Sequence, residues 1–348
     1  MTAPIEGIGC LAGITPWKRR RLRAIFVNRH GPPVARTARL AVRLAQANQG
    51  AVAVWESRRP AGLDERAAKE GVAVWSIEDG FIRSAGLGAA LVQPCSLVLD
   101  SQRPHYDASA PSDLEDLLQS RDFTVDELAR AEALIARLRA GAITKYNLAG
   151  KAPDLPKGQR VVLVLGQVDD DLSVLRGGGG QTVAGMVAAA RAAEPDALLL
   201  FKPHPDVVAG LRSGLRVPPE ADRVIEDAGL ADLFACADAV HVLTSLGGFE
   251  ALLRSLPVTV HGQPFFAGWG LTLDRNPVPR RTRRLSLAQL VAGALLAYPH
   301  YFRPDLERRC EAEDLLDWLE ASGPAHLPSR PWRLIADAAR RLGAYLRK

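Results

Sequence analysis

With 348 residues, 47% hydrophobic and 24% charged, the chain holds material for two globular domains and is too rich in core-forming residues for a disordered segment. Its formal net charge of +5 is a diffuse basic excess, which suits an acidic substrate or an anionic membrane face and argues against a nucleic-acid binder. Cys10, Cys95, Cys236 and Cys310 stand singly and the seven histidines show no HxH or HExxH spacing, so the composition points to reduced thiols, away from a disulfide framework, and to no protein-bound metal.

The stretch through Phe26 lacks the apolar segment of a secretory signal, and no run reaches membrane-spanning length, so a soluble or peripheral cytoplasmic protein is expected. Lys18 to Arg23 places five basic residues in six positions, ordinarily a solvated face and otherwise a surface for anionic lipid. Ala24–Val27 reads as a strand, and Pro33–Asn48 as a helix with Val34, Leu40 and Leu44 on its inner side. Ala51–Trp55 and Val72–Ser76 read as further strands joined by a charged helical connection. This alternation predicts βαβ units and a parallel sheet. The last of these strands runs into Glu78, Asp79 and Gly80. Acids at a strand's carboxyl end, followed by glycines, read either as a site loop or as a turn in which Asp79-Gly80 supplies the left-handed conformation.

Leu97–Leu99 is a short strand and Pro104–Ser112 a loop. Thr124 with Glu127 forms a capping box ahead of an amphipathic helix carrying Leu128, Ala131, Ile135 and Leu138. The turn-rich segment Lys145–Gln159 marks a domain boundary, giving domains at 1–150 and 151–300, with C-terminal helices at 301–348.

The alternation restarts at Val161–Leu165, an apolar run of five followed by Gly166, Gln167 and Asp169 to Asp171. Three adjacent aspartates repel one another. They form either a solvated acidic loop or a site where a cation, a positive cleft or chemistry compensates them. Gly177–Gly180 precedes a helix at Gln181–Ala193 and matches neither common nucleotide motif, which leaves a weak anion loop or a flexible lid. Strand Ala197–Phe201 ends in Lys202, Pro203, His204, Pro205 and Asp206, where a lysine and a proline-stiffened histidine can hold a phosphate. Strand Ala239–Leu243 ends in Thr244 and Ser245 before a helix at Phe249–Leu256. These hydroxyls either bind an anion or cap the helix, and Glu250 either complements the dipole or accepts from a ribose diol. Val258–Val260 is the last strand. It is followed by Gly262–Leu271, three glycines among three aromatics, read as a loop packed on a ligand or a facing domain, and by a second capping box at Ser286 and Gln289. The tail sets Trp332, Ile335, Ala338, Leu342 and Tyr345 on one helical stripe, a face for the protein itself or for an anionic bilayer.

Taken in order, EDGFIRSAGLG from Glu78, ITKYN from Ile143, GQVDDDLS from Gly166, KPHPD from Lys202, TSLGGFEALLR from Thr244 and GQPFFAGWGLT from Gly262 carry a joint signal. The set resembles the capsule polysaccharide biosynthesis family of retaining β-Kdo transferases, from Ala24 to Leu295. The resemblance implies an α/β, GT-B-like fold, two Rossmann-type domains with parallel sheets facing across a cleft. Residues 1–150 then form the acceptor side and 151–300 the CMP-sugar side. It further implies CMP-β-Kdo as donor, a (lyso)phosphatidylglycerol-linked Kdo linker as acceptor, no cofactor, and capsule-assembly proteins at the inner face of the inner membrane as partners. Family members carry two such modules in tandem, and this chain carries one.

Carried over residue by residue, the family's spacing of glutamine and aspartate falls on Gln167 and Asp171, making Asp171 the nucleophile of a double displacement. Asp169 stands where the family has glutamate, and with Asp170 the extra charge calls for a compensating cation. Asp79 and Glu78 are the candidate bases, with Asp79 preferred. His204, Ser245 and Lys202 hold the CMP phosphate and Glu250 the ribose, while Pro205, Thr244, Arg83 and Gly268 complete the substrate contacts. A transferase for another CMP-sugar such as sialate, or a non-catalytic capsule-assembly or lipid-binding protein, are the competing readings.

Overall fold

The computed structural model describes residues 5–19, 22, 25, 26, 32–87 and 91–325. The strands among them are β1 Ile8–Ala12, β2 Val34–Ala35, β3 Ala51–Trp55, β4 Val74–Asp79, β5 Ser96–Asp100, β6 Val161–Leu165, β7 Leu198–Lys202, β8 Arg223–Val224, β9 Ala239–Val242, β10 Val258–Val260, β11 Leu273–Asp274, β12 Pro299–Arg303 and β13 Arg308–Cys310. The chain divides into two units, one formed by Met1–Arg83, Gln93–Ala131 and Gln289–Ala321, the other by Ser84–Val92, Glu132–Ala288 and Ser322–Lys348.

The first unit is built on a seven-stranded sheet in the order β13-β12-β5-β4-β3-β1-β2. Pairs among β1 to β4 are parallel, whereas β5, β12 and β13 add antiparallel. All five positions of β3 and of β5 are buried, as expected of strands covered on both faces; β3 is apolar throughout, while β5 buries Ser96 and Asp100 at its ends, where both are hydrogen-bonded. The period of two sorts the side chains between two clusters. Leu11, Ala53, Trp55 and Ile77 face one side with Leu97, Leu99 and Phe302, while Cys10, Ala12, Val52 and Val54 pack against the helix Ala38–Ala47.

Three sequence expectations change here. The first strand is Ile8–Ala12 and not Ala24–Val27; of the latter, Ile25 and Phe26 are described, and the Phe26 amide bonds back to the Leu22 carbonyl at 3.2 Å in a helical turn. Leu22, Ile25 and Phe26 are buried at helical spacing, so the apolar signal marked the core but not its period. Glycine hides β1: a Cβ on Gly9 would lie 2.8 Å from the Ala45 carbonyl oxygen, so the strand gives up a side chain to let the helix backbone approach. The helix itself begins at Ala38 behind a Thr37 cap and buries Ala38, Ala41, Val42 and Ala45, while Leu40 is exposed and Val34 belongs to β2.

The second unit is a parallel six-stranded sheet in the order β11-β10-β9-β6-β7-β8. Counted from β6, this is the doubly wound order 3-2-1-4-5-6, which reverses between β6 and β9. The helix Val183–Ala193, capped by Thr182, buries Val183, Met186 and Val187 against Val162, Val164, Leu199 and Phe201. The glycine run ends one helix and turns into the next: Gly177 closes Leu172–Gly177, and Gly179 and Gly180 take positive φ ahead of Thr182. The aromatics of Gly262–Leu271 are buried within this unit, where Phe249, Phe265 and Phe266 make ring contacts and the Trp269 Nε1 donates to the Phe265 carbonyl at 2.7 Å.

No helix among the described residues is long and apolar enough to cross a membrane. The tail stripe from Trp332 to Tyr345 lies outside the described residues. All four cysteines are free, Cys10 and Cys95 being buried.

Candidate functional site

In the second unit, the loops after β6 and β9 meet where the strand order reverses. The Gln167 side chain is buried and closes a reciprocal pair with Thr244: its Nε2 donates to Thr244 Oγ1 at 2.9 Å, and its Oε1 accepts the Thr244 backbone N–H at 2.8 Å. Both ends of the amide are thereby satisfied, which a buried polar group requires. Thr244 Oγ1 continues to Ser173 Oγ at 3.3 Å, and Ser173 donates to Asp171 Oδ1 from its backbone N–H at 2.9 Å and its hydroxyl at 2.8 Å. Asp171 is thus the N-cap of the helix Leu172–Gly177, with one carboxylate oxygen anchored. Its Oδ2 lies 3.7 Å from Arg212, and the same guanidinium donates to Asp170 Oδ1 at 2.6 Å. Arg212 is the compensating cation for the acidic run. Its position in sequence gave no sign of this, because the partners are brought together only by the turn after β7.

The end of β7 supplies Lys202, His204 and Pro205. Lys202 Nζ donates to the Glu226 carbonyl at 2.7 Å, and burial lowers its pKa to about 8 against the opposing charges of Asp227 and Glu226. His204 caps the turn Pro205–Val208, its Nδ1 accepting the Asp206 N–H at 3.1 Å. That acceptor role puts the neutral ring's proton on Nε2, and burial lowers the His204 pKa, favouring this neutral form. Ser245 Oγ accepts the Gly247 N–H at 3.2 Å. Glu250 is buried, accepts the Lys145 backbone N–H, and has its pKa pushed to about 7 by burial, opposed by Arg254. The ITKYN segment is thereby drawn to this sheet edge. Lys145 also acts on the charge of His204, and it was visible in the sequence only as part of a motif. Gly268, at φ +88, belongs to a different knot: its N–H bonds Asp274 at 2.9 Å, and a Cβ there would meet Arg281.

In the first unit, Glu78 and Asp79 are the last two residues of β4, and their side chains separate to opposite faces of the strand. Glu78 shares a face with Ser76, whose hydroxyl donates to Glu56 at 2.8 Å, and accepts the Tyr106 hydroxyl at 3.0 Å. Arg59 in turn pairs with Glu56. Asp79 shares a face with Ile77 and is held by two cations, Lys18 Nζ at 3.4 Å from Oδ1 and Arg83 Nε at 2.7 Å from Oδ2. Arg83 is 1% exposed, its guanidinium turned to Asp79. Burial, then the charge of Asp79, pushes the Glu78 pKa up to about 8, against the opposing effects of Lys18 and the Tyr106 hydrogen bond. Lys18 does not lie on a solvated face as its basic run suggested. It is 8% exposed, with its ammonium 3.3 Å above the Trp55 ring centroid. The adjacent Trp17 and the buried residues at 22, 25 and 26 were the sequence's signal that this run folds inward. Arg20, Arg21 and Arg23 lie outside the described residues. No group of three or more potential metal ligands occurs among the described residues.

The chain matches the capsule polysaccharide biosynthesis protein family over residues 50–147 and 121–301. It is 39% identical over 313 residues to the capsule polysaccharide modification protein LipA of Neisseria meningitidis serogroup B, covering 86% of this chain and 44% of LipA. It therefore spans less than half of that relative's length. The lipopolysaccharide-processing protein LpsZ of Rhizobium meliloti is 36% identical over 314 residues, covering 86% of this chain and 71% of LpsZ. Among solved structures, the β-Kdo 2,4-transferase of Thermosulfurimonas dismutans KpsC superposes with a TM-score of 0.80 at 29% identity, over 90% of this chain and 98% of that one. The β-Kdo 2,7-transferase of the same KpsC gives 0.74 at 35% identity over the same shares. The order of the strands, the edge residues they present and these likenesses agree, and the chain belongs to the capsule polysaccharide biosynthesis protein family, with a GT-B-like α/β fold.

Proposed function

We propose that the chain is a retaining glycosyltransferase that moves Kdo from CMP-β-Kdo onto a phosphatidylglycerol-linked Kdo glycolipid in capsule synthesis. The observation that carries the reading is the hydrogen-bonded run from Gln167 through Thr244 and Ser173 to Asp171, at the reversal point of a sheet whose fold matches two Kdo transferases. Anchoring one oxygen of Asp171 and leaving the other beside Arg212 suits a carboxylate that must attack along one direction.

In the first displacement, Asp171 Oδ2 attacks the anomeric carbon of Kdo, and the bond to the CMP phosphate breaks with its electron pair on phosphate. Lys202, the Nε2 proton of His204 and the Ser245 hydroxyl offset that charge, while Glu250 accepts from the ribose. In the second, an acceptor hydroxyl attacks the same carbon, its proton passes to a carboxylate, and Asp171 leaves. We assign the base to Glu78 over Asp79. A pKa near 8 suits proton uptake at neutral pH, whereas two cations hold Asp79 as an anion.

Intact-mass measurement tests the scheme. Incubation of Glu78→Gln with CMP-Kdo is expected to leave a Kdo-sized adduct that peptide mapping assigns to Asp171. Asp171→Ala is expected to lower transfer by about a thousandfold or more. Transfer by Asp171→Ala at the wild-type rate would sink the mechanism, and slow hydrolysis of CMP-sialate in preference to CMP-Kdo would move the donor assignment.

A further inference from the structure

We propose that Lys18 is a positioning residue for the carboxylate pair of β4: its buried ammonium, held between the Trp55 ring and Asp79, keeps Asp79 anionic and leaves Glu78 as the group that exchanges the proton. The inference rests on the reading of Glu78 as the base.

A lysine this buried needs a reason, since removing an ammonium from water is costly unless it is paired. Among the described residues Lys18 has two close partners, with the Trp17 ring further off at 5.4 Å. Its Nζ sits 3.3 Å from the Trp55 ring centroid and 3.4 Å from Asp79 Oδ1. The ring accepts the cation's field without taking a proton, so Asp79 is the acidic partner of this contact. Burial lowers the Lys18 pKa, and the charge of Asp79 opposes that by favouring the ammonium.

The groups that face the carboxylates come from several elements. Lys18 ends the short helix Pro16–Lys18 after β1. Glu56 and Arg59 follow β3, Arg83 follows β4, and Tyr106 lies in the loop after β5. Among the described residues, three cations, Lys18, Arg59 and Arg83, thus meet four carboxylates, Glu56, Asp64, Asp79 and Glu78. Arg59 pairs with Glu56 and Asp64 and Arg83 with Asp79, while the charge of Lys18 opposes the rise of the Glu78 pKa and so offsets Glu78 when Glu78 gives up its proton. Without it the cluster holds one cation fewer against the same carboxylates and keeps Glu78 protonated to higher pH, which withdraws the base. Lys18 acts through the carboxylate pair, and its 8% exposure leaves little of it for substrate.

The test uses the full chain and two readouts. The Glu78 carboxyl is followed by carbon NMR in protein labelled at the glutamate carboxyl carbon, assigned by its loss in Glu78→Gln. Transfer from CMP-Kdo is measured across the same pH range. In Lys18→Met the Glu78 titration is expected to move up by about one unit or more, which lowers transfer about tenfold at neutral pH and less at alkaline pH. Lys18→Arg is expected to restore both. An unchanged Glu78 titration in Lys18→Met overturns the proposal. Lys18→Gln replaces that variant if it does not fold, and failure of both neutral variants to fold, with Lys18→Arg folded, overturns it too by making Lys18 a residue of the fold. The NMR titration needs no transfer activity. A shifted titration in a protein that does not transfer therefore rejects the enzymatic reading and keeps the electrostatic one.

Discussion

Glu250 and Lys202 are displaced by burial in opposite directions, one pushed up to about 7 and the other down to about 8. If they hold the ribose and phosphate of CMP, binding needs the carboxylate ionised and the ammonium charged, so affinity should be greatest between those values. Calorimetric titration of CMP from acid to alkaline pH is expected to give a bell. Glu250→Gln should flatten the acidic limb and Lys202→Met the alkaline one; limbs that survive in these variants remove the residues from the nucleotide site. Glu250 has a second signature. Its folded pKa lies above its unfolded one, so the stability it contributes is present below the unfolded value and is lost as pH rises through about 7. Glu250→Gln keeps an acceptor for the Lys145 N–H and is expected to be more stable than wild type at alkaline pH by on the order of 2 kcal/mol. The two should converge near the unfolded carboxylate pKa, as read by urea unfolding at each pH. The sequence marked both residues by their strand-end positions. It preferred Asp79 to Glu78 with little to separate them, because adjacent strand residues differ only in the faces they meet, and those faces are furnished by Lys18, Glu56 and Tyr106 from distant stretches.

The elements that could be read most clearly are those whose signal is local. β3 and β6 occur at the expected positions because an unbroken apolar run bounded by turn residues is enough to specify a buried strand. The helix Val125–Ala140 likewise announces its start: the Glu127 N–H bonds Thr124 Oγ1 at 3.2 Å, and the Glu127 carboxylate accepts the Thr124 N–H at 2.9 Å. Thr124→Ala is expected to cost about 1 kcal/mol of stability, measured by urea unfolding, with no effect on CMP binding. A loss of several times that would mean the cap also fixes the chain around it. β1 escaped notice for the converse reason. Its glycine serves the helix packed above it, whose Ala45 carbonyl is more than thirty residues away in sequence. The antiparallel addition of β5, β12 and β13 to the first sheet is equally non-local, since β12 and β13 come from near the end of the described chain.

For the whole molecule, each unit presents one chemical half of the proposed reaction. The second offers a carboxylate with a neighbouring arginine and donors for phosphate; the first offers a carboxyl group held near neutral pKa. In the proposed reaction Lys202 and His204 would supply charge and hydrogen bonds to the leaving phosphate, so a chelator is expected to leave Kdo transfer unchanged. A loss of activity restored by a divalent cation would show that the donor phosphate needs a metal. By itself the sequence determined the α/β class, four of the second unit's six strands (β6, β7, β9 and β10, but not the two-residue β8 and β11) and the edge residues Gln167, Asp171, His204, Thr244 and Glu250, because strand ends and turns are local and the order of motifs is read directly. Only the tertiary structure decided that Asp171 is anchored by Ser173 and faced by Arg212, that Arg83 is committed to Asp79, and that a buried Lys18 stands behind the carboxylate pair. Charge pairing and burial depend on which distant segments meet, and that follows from the sheet order and the packing on its faces.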